Sequence, residues 1–269
     1  MDILCCQGLA KDYCWLGVMD FYNFIYCEKQ VQRFVSQILF PLEEDEVVVL
    51  FLAARKKYAP QQAIKKEFLQ RKIVTKRESF LRKLKQFNCQ RGAYFDAEGN
   101  DIREEACVVY CTANPRSTVA AAKNLITTFT DYLFSLAVSS SERKKFTGIY
   151  QKTLSEIQKC RARKHYVDID FDVVDKNKGK KYVRDFLQII ATSKHHIIET
   201  RGGYHILIEK QTMTADIGRV MYKQIEAINR EGKQIFGEKF EVIINRQDML
   251  PIPGTKQGGF AVCIIDKLE

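Results

Sequence analysis

The chain has 269 residues and a net charge of +10, and 46% of its residues are hydrophobic. This length and composition suffice for one large domain or two closely packed subdomains with a real core, and they exclude a disordered chain. No apolar run is long enough to span a bilayer, and the first residues lack the layout of a secretory signal, so we expect a cytoplasmic protein without membrane contact. The nine cysteines include no C-x-x-C pair, which favours neither a disulfide framework nor a zinc ribbon.

Positive charge is concentrated in two parts of the chain. Residues 55–91 contain thirteen lysines and arginines but only two acidic residues, and a second basic cluster spans residues 143–164. Clustered positive charge is typical of a protein with a phosphate-rich partner, because neutralising phosphates releases condensed counterions. The alternative for each cluster is a solvated helix face. We favour a nucleic acid as the partner, because the two clusters flank a strand that carries three aspartates.

The first part of the chain predicts helices around one buried strand. Apolar spacing predicts a helix within residues 17–39 and a buried strand at residues 47–52. This strand leads into a basic segment at its carboxyl end, where open α/β sheets often bind their ligands. Residues 61–87 predict one or two amphipathic basic helices. The candidates for nucleic-acid contact after the strand are Arg55, Lys56 and Lys57, and a basic loop without a ligand is an equal alternative.

The next part of the chain predicts a hairpin followed by two helices. The hairpin spans residues 91–112, and a turn with Arg116, a further candidate for nucleic-acid contact, precedes a helix at residues 118–138. A serine run at residues 139–141 marks the best internal boundary and begins the next helix, which continues to about residue 159. Because this run is too short for a flexible linker, we expect two packed lobes.

The most informative stretch, residues 165–173, is a predicted strand with two different faces. Side chains alternate across a strand, so the apolar residues point to one side while Asp168, Asp170 and Asp172 point to the other. Three like charges on one face repel each other and need water or a cation. Hard ions such as Mg²⁺ and Mn²⁺ prefer carboxylate oxygens. The strand therefore predicts a divalent-metal site, with a solvated sheet face as the alternative.

The elements after this strand continue a mixed pattern of strands and helices. A helix is predicted around residues 183–190, followed by two alternating runs that a Gly-Gly turn joins into a hairpin at residues 195–209. A long helix is predicted at residues 214–236, and short strands are predicted around residues 240–245 and 260–264. The resulting order of elements is compatible with an α+β fold.

Three motifs follow one another in this half of the chain. They are Asp168-x-Asp170 on a strand, Gly203-Tyr204-His205 at a hairpin, and Asp248 before Leu250-Pro251-Ile252-Pro253-Gly254-Thr255. Their order and setting resemble the archaeo-eukaryotic primase superfamily, the primase-polymerases, in which a D-x-D pair, an S-x-H element and a later acidic residue occur in this order. The resemblance covers residues 166–259 and includes the first half only loosely, through Arg55-Lys56-Lys57-Tyr58. Gly203 departs from the family, which usually has serine at this position.

The resemblance implies a two-metal nucleotidyltransferase. Asp168, Asp170 and Asp248 would bind two Mg²⁺ or Mn²⁺ ions about 3.5–4 Å apart, one to activate the attacking 3′ oxygen and the other to stabilise the leaving pyrophosphate. The implied reaction is the template-dependent addition of nucleotides from NTP or dNTP. The resemblance also allows de novo synthesis of a primer on single-stranded DNA. The implied partners are a single-stranded DNA template and a primer.

The resemblance also implies a nucleotide site beside the metals. His205 would contact the phosphates of the incoming nucleotide, and the backbone N–H of Gly203 would replace the serine hydroxyl as a phosphate donor. Arg201 and Lys256 are further candidates for phosphate contact, and the alternative for both is an ordinary turn residue at the surface. A strand histidine considered alone is more often structural, so the role of His205 depends on its neighbours.

The family's fold implies a basic N-terminal α/β lobe that packs on a C-terminal lobe with an RRM-like sheet, with the site between them. We expect residues 1–140 to form the first lobe and residues 141–269 to form the catalytic lobe. Small enzymes of this family occur beside CRISPR adaptation genes or in phages and plasmids, so CRISPR adaptation proteins are a further expected partner. Two other functions fit the same residues: a two-metal nuclease, and a non-catalytic RRM-like module whose carboxylates are solvated.

Overall fold

A computed structural model describes residues 20–64, 67–138, 148–173, 175–246 and 248–268. These residues form two antiparallel sheets with helices packed on them, which confirms the predicted α+β class. The strands are β1 (Glu46–Arg55), β2 (Glu67–Thr75), β3 (Cys107–Thr112), β4 (Arg116–Ser117), β5 (Tyr166–Asp172), β6 (His195–Glu199), β7 (Gly203–Glu209), β8 (Glu241–Ile244), β9 (Met249–Pro251), β10 (Lys256–Gln257), β11 (Phe260–Ala261) and β12 (Cys263–Ile265). The α-helices are α1 (Glu28–Arg33), α2 (Phe80–Leu84), α3 (Thr118–Val138), α4 (Ile149–Lys159), α5 (Lys176–Ile189) and α6 (Ala215–Phe236).

The first sheet is built around β1, in which every residue except the last is buried. Its strand order is β11-β10-β3-β1-β2, with β4 paired to β1 and β9 paired to β3. A continuous run of valine and leucine suits this position, because a central strand covered on both faces has no solvated side. One face of the sheet contacts the aromatic side chains of Phe34, Phe80 and Phe87, and Phe51 stacks with Tyr110 on the other.

The second sheet has the strand order β12-β6-β7-β5-β8, and all of its neighbouring strands are antiparallel. The chain runs β5-α5-β6-β7-α6-β8 through it, which is the βαββαβ connection of ferredoxin-like and RRM domains. Both helices pack on one face of the sheet, where Phe171, Phe186 and Phe240 belong to one apolar core. The other face is left for the first sheet and for the site.

Local signals in the sequence determine where the two long helices that pack on this sheet begin and end. Thr214 caps α6 by accepting a hydrogen bond from the N–H of Ile217 at 3.2 Å, and the helix ends at Gly237. Asp175 caps α5 in the same way, through the N–H groups of Asn177 and Lys178. The predicted hairpin at residues 195–209 is confirmed as the antiparallel pair β6 and β7.

The prediction of helices over residues 61–87 is wrong for its first half, because residues 67–75 form β2 along the edge of β1. Its exposed and half-buried side chains alternate along the first six residues, which is the period of two of a strand and not the 3.6 of a helix. Only the short helix α2 follows. The predicted hairpin at residues 91–112 is also wrong, because β3 pairs with β1 and not with residues 91–95.

The strands of the first sheet come from both sides of the predicted lobe boundary at residue 140. The boundary itself, with the serine run at residues 139–141, lies outside the described residues. Residues 249–261 return to the first sheet as β9, β10 and β11, so the predicted C-terminal lobe supplies three strands to its neighbour. Arg163 further joins the two units, because it donates two hydrogen bonds to the buried carboxylate of Glu46, at 2.9 and 3.0 Å. The chain therefore passes from the first sheet to the second and back again, so the two sheets are not formed by separate halves of the chain.

The helices of the described part include α3, whose bounds agree with the predicted helix at residues 118–138. Its neighbour α4 ends at Lys159, where the sequence also places the end of a helix. In the part of the chain that the structure describes, no helix is long and apolar enough to cross a membrane.

Candidate active site

The three aspartates of β5 lie on the face of the second sheet that is turned toward the first. Ile169 and Phe171 point the opposite way, into the apolar core beneath α5 and α6. Tyr166 shares the face of the aspartates and belongs to the apolar core of the first sheet, which fixes the direction of this face. The predicted alternation of β5 is thus confirmed, and it brings the carboxylates to the junction of the two sheets.

His205 lies between two of these carboxylates. The register of β5 and β7 places it opposite Asp170. Its Nδ1 is 3.0 and 3.2 Å from the two carboxylate oxygens of Asp168, and its Nε2 is 3.6 Å from Oδ1 of Asp170. The side-chain amide of Asn245 donates a further hydrogen bond to Asp168, at 2.8 Å. Both oxygens of Asp168 are therefore engaged, and this residue fixes the orientation of the imidazole.

The charges of this group are strongly coupled because the site is buried. Burial raises the pKa of Asp170, the positive charge of His205 lowers it, and Asp172 and Asp168 raise it again, to a value of about 6. Burial lowers the pKa of His205, but the carboxylates of Asp170 and Asp168 outweigh burial and raise this pKa to about 9. His205 is therefore protonated at neutral pH; its Nδ1 donates to Asp168, whereas its Nε2 is beyond hydrogen-bond distance of Asp170.

A cavity of about 650 Å³, which we call the first cavity, opens beside this group. Asp170, Asp172 and His205 line it from the second sheet. The first sheet supplies cations, among them Arg55 at the end of β1 and Lys57 in the turn after it. Glu67 of β2 also lines this side, and its carboxylate is 3.7 Å from the guanidinium of Arg55, so the side of the first sheet is mixed in charge. A cavity with both carboxylates and cations suits a ligand that has both phosphate groups and a divalent ion.

Asp248, the third predicted metal ligand, does not join Asp168 and Asp170. Its carboxylate accepts hydrogen bonds from the side chains of Asn114 at 3.0 Å, Arg116 at 3.0 Å and Arg161 at 2.7 Å. It is 2% exposed, and its φ of 55° is a left-handed conformation that residues other than glycine seldom adopt. In the structure two arginines and an amide engage Asp248, and its place in one site with the other two carboxylates stays a prediction.

The predicted nucleotide ligands other than His205 are placed less directly. Arg201 stacks over the ring of Tyr58, 4.7 Å from its centroid, and donates to the carbonyl of Gly258. Lys256 donates to the carboxylate of Glu104 at 2.9 Å. Gly203 is buried against the backbone of β5, whereas Gly202, the residue before it, lines the first cavity. The structure thus brings His205 to the first cavity and leaves Arg201, Gly203 and Lys256 out of its lining.

The predicted nucleic-acid ligands divide into two groups. Arg55 lines the first cavity and donates to the hydroxyl of Tyr110 at 3.1 Å, and Lys57 lines it as an exposed residue. Lys56 is exposed but is outside the lining. Arg116 is buried and bound to Asp248, on the other side of Met249 from the first cavity. The predicted nucleic-acid ligands therefore lie in two places: Arg55 and Lys57 line the first cavity, and Arg116 lies outside its lining.

Sequence reasoning missed the residues that hold the acids in place. Asn114 lies at a predicted break of the chain and Asn245 at the end of a predicted short strand, and no pattern marks either amide. Arg161 belongs to the basic cluster of residues 143–164, but its pairing with Asp248 joins positions far apart in the chain. Asp172, treated above as solvated or as part of the metal site, lines the first cavity.

The donor set fits a divalent ion that takes few ligands from the protein. Mg²⁺ and Mn²⁺ are usually bound by one or two carboxylates, and substrate phosphates complete the shell. Asp170 retains 25% exposure of its side chain and faces the first cavity together with Asp172. Among the described residues no three His, Cys, Asp or Glu side chains form a group that could hold a metal without a substrate. The residues therefore fit a metal that arrives with a phosphate ligand.

Comparisons with protein-family models, with curated proteins and with solved structures found no match for this chain. The fold and the site define an α+β protein whose RRM-like sheet presents an acidic cluster to a cavity that Arg55, Lys57 and Glu67 also line. A functional assignment therefore depends on the geometry of the first cavity and on the three motifs.

Proposed function

We propose that the chain is a template-dependent primase-polymerase, a nucleotidyltransferase that adds nucleotides from NTP or dNTP to a nucleic-acid strand. One observation carries the proposal: Asp170 and His205 on the two central strands of an RRM-like sheet face a cavity that Arg55 and Lys57 line from the side of the first sheet. Transfer of a nucleotide needs divalent ions beside the reacting phosphate and cations for the rest of the triphosphate. The first cavity offers both within about 650 Å³.

Each residue of the first cavity has a role in this proposal. Asp170 binds the Mg²⁺ or Mn²⁺ ions, with Asp168 or Asp172 as the second carboxylate on the same strand. The ions, when bound, activate the 3′ oxygen of the strand and stabilise the leaving pyrophosphate. Protonated His205 donates to a phosphate oxygen, and Asp168 holds its ring in the orientation for this contact. Arg55 and Lys57 neutralise the remaining phosphate charge.

The proposal is tested by synthesis on unprimed and primed single-stranded DNA with Mn²⁺ and labelled nucleotides. The unaltered chain is compared with Asp170→Asn, which removes the metal-binding charge but keeps the size of the side chain. Asp216→Asn is the matched control, because Asp216 lies exposed on α6, on the far face of the second sheet. We expect product from the unaltered chain and from the control. The Asp170→Asn variant should lose at least about a hundredfold in rate, as for other groups that stabilise developing charge.

Three outcomes would contradict the proposal in different ways. Synthesis that survives Asp170→Asn would remove the carboxylates of β5 from the reaction. Degradation of labelled DNA without nucleotides, lost in the same variant, would identify a two-metal nuclease. Salt-sensitive DNA binding without synthesis or degradation, unchanged by Asp170→Asn, would identify a non-catalytic binding module.

A further inference from the structure

A second cavity of about 650 Å³ lies next to the first and is lined by cations. No acidic side chain of the described residues lines it. The two cavities share Arg246 and Met249, so they meet at this pair of residues. The other cations of the second cavity come from β2, β4, the end of α4 and the segment after it: Lys72, Arg116, Lys159 and Arg161.

Arg116 supplies the observation that points to a ligand. Its side chain is only 5% exposed, and one of its terminal nitrogens donates to Asp248 at 3.0 Å. Its Nε is also buried, but this N–H has no acceptor among the described residues. A buried donor without an acceptor is costly, so its position in a cation-lined cavity indicates an anion that accepts from it.

The acids near the second cavity neutralise only part of its charge, and one of them, Glu156, pairs with Lys159 at 3.0 Å. Asp248 is shared by Arg116 and Arg161, so one carboxylate serves two guanidinium groups. Lys72 donates to the hydroxyl of Ser155 at 3.0 Å and forms no ion pair with a described carboxylate. Burial lowers the pKa of Lys72, and the charge of Lys159 lowers it further, as expected for cations held close together. A bound anion would relieve this repulsion.

We propose that the second cavity binds a backbone phosphate of the nucleic-acid strand whose end reaches the first cavity past Arg246 and Met249. The assignment rests on the proposed function for the direction of the strand. It goes beyond that function by placing the strand over α4 and β2 and by naming Lys72, Arg116, Lys159 and Arg161 as phosphate ligands. A phosphodiester fits this site because each of its phosphates has a single charge and several acceptor oxygens.

The test measures binding of a fluorescent thymidine oligonucleotide without terminal phosphates, in EDTA and without nucleotides, over a series of NaCl concentrations. Lys72→Gln and Lys159→Gln are compared with Lys223→Gln, which changes the same charge on the exposed side of α6. We expect each of the first two variants to reduce the slope of log affinity against log salt by about 0.7, the value for one phosphate contact of a single strand. Lys72→Gln should also weaken binding about tenfold.

The assignment is overturned if Lys72→Gln and Lys159→Gln have the same slope and affinity as Lys223→Gln. It is also overturned if Lys72→Gln weakens binding of MgATP and leaves the oligonucleotide unaffected, because the anion would then be a free nucleotide. The synthesis assay separates this proposal from the proposed function. If the chain makes no product but its DNA binding shows the Lys72-dependent slope, the assignment of the second cavity stands and the proposed polymerase function is rejected.

Discussion

The close approach of β7 to β5 at Gly203 allows a sharp prediction about replacing this glycine with serine, the usual residue in the family that the motifs resemble. A Cβ atom at Gly203 would lie 1.8 Å from the carbonyl oxygen of Phe171 and 3.2 Å from the nitrogen of Val173. A carbon and an oxygen without a strong hydrogen bond approach to about 3.3 Å, so the strands would have to separate by about 1.5 Å. The φ of 156° adds backbone strain for any other residue. Serine, the usual residue of the family, therefore has no room here.

The Gly203→Ser variant should lose about 4 kcal/mol of unfolding free energy, from about 1–3 kcal/mol of overpacking and a similar amount of backbone strain. With a urea slope of about 3 kcal/mol/M for a chain of this size, the unfolding midpoint should fall by about 1 M. Gly218→Ser is the matched control, because a Cβ at Gly218 meets nothing within 4 Å. Equal midpoints for the two variants, measured by circular dichroism in urea, would refute the reasoning.

Three further predictions concern the site and the contact between the sheets. The pKa of His205 is about 9 in the folded chain against 6.5 in the unfolded chain. Binding of this proton therefore stabilises the folded chain fully below about pH 6.5, and the stabilisation is lost as the pH rises through about 9. In EDTA the unfolding free energy should therefore fall by up to about 3 kcal/mol over this range, and His205→Gln should flatten the fall. Mn²⁺ with a nucleotide should raise the melting temperature of the unaltered chain and of Asp216→Asn but not of Asp170→Asn, because only a bound ligand stabilises the folded state. Arg163→Ala should cost about 2 kcal/mol in urea unfolding, because it leaves the carboxylate of Glu46 buried without its charged donor, and an unchanged midpoint would show that the pair is solvated.

The second sheet could be predicted from the sequence because its signals are local. The alternation around Asp168 and Asp170 assigns both faces of β5, and the Gly-Gly turn joins β6 to β7. The cap at Thr214 lies directly before α6. Each of these features is determined by residues within a few positions of one another, so short-range periodicity is enough to find them.

The first sheet and the partners of Asp248 could not be predicted in the same way. The two basic residues of β2, Arg71 and Lys72, are consecutive and belong to a segment rich in lysine and arginine, which resembles a solvated helix face when the partner strand is unknown. The return of β9, β10 and β11 to the first sheet depends on pairing with β3, more than a hundred residues earlier in the chain. Asp248 meets Arg116 and Arg161 only after this return, so no local signal in the sequence reveals that it pairs with these two arginines.

Asp248 allows the two possible roles of the third motif to be separated by stability alone. In a metal site without metal, a carboxylate repels its neighbours, so Asp248→Asn would leave stability unchanged or increase it. In the arrangement described here the same change leaves buried Arg116 and partly buried Arg161 without their acid, which should cost about 3 kcal/mol. Urea unfolding in EDTA, with Asp216→Asn as control, measures the difference. A variant as stable as the control would mean that Asp248 is free of the arginines and would return it to the metal site, whereas a large loss would mean that Asp248 compensates the charges of Arg116 and Arg161 beside the second cavity.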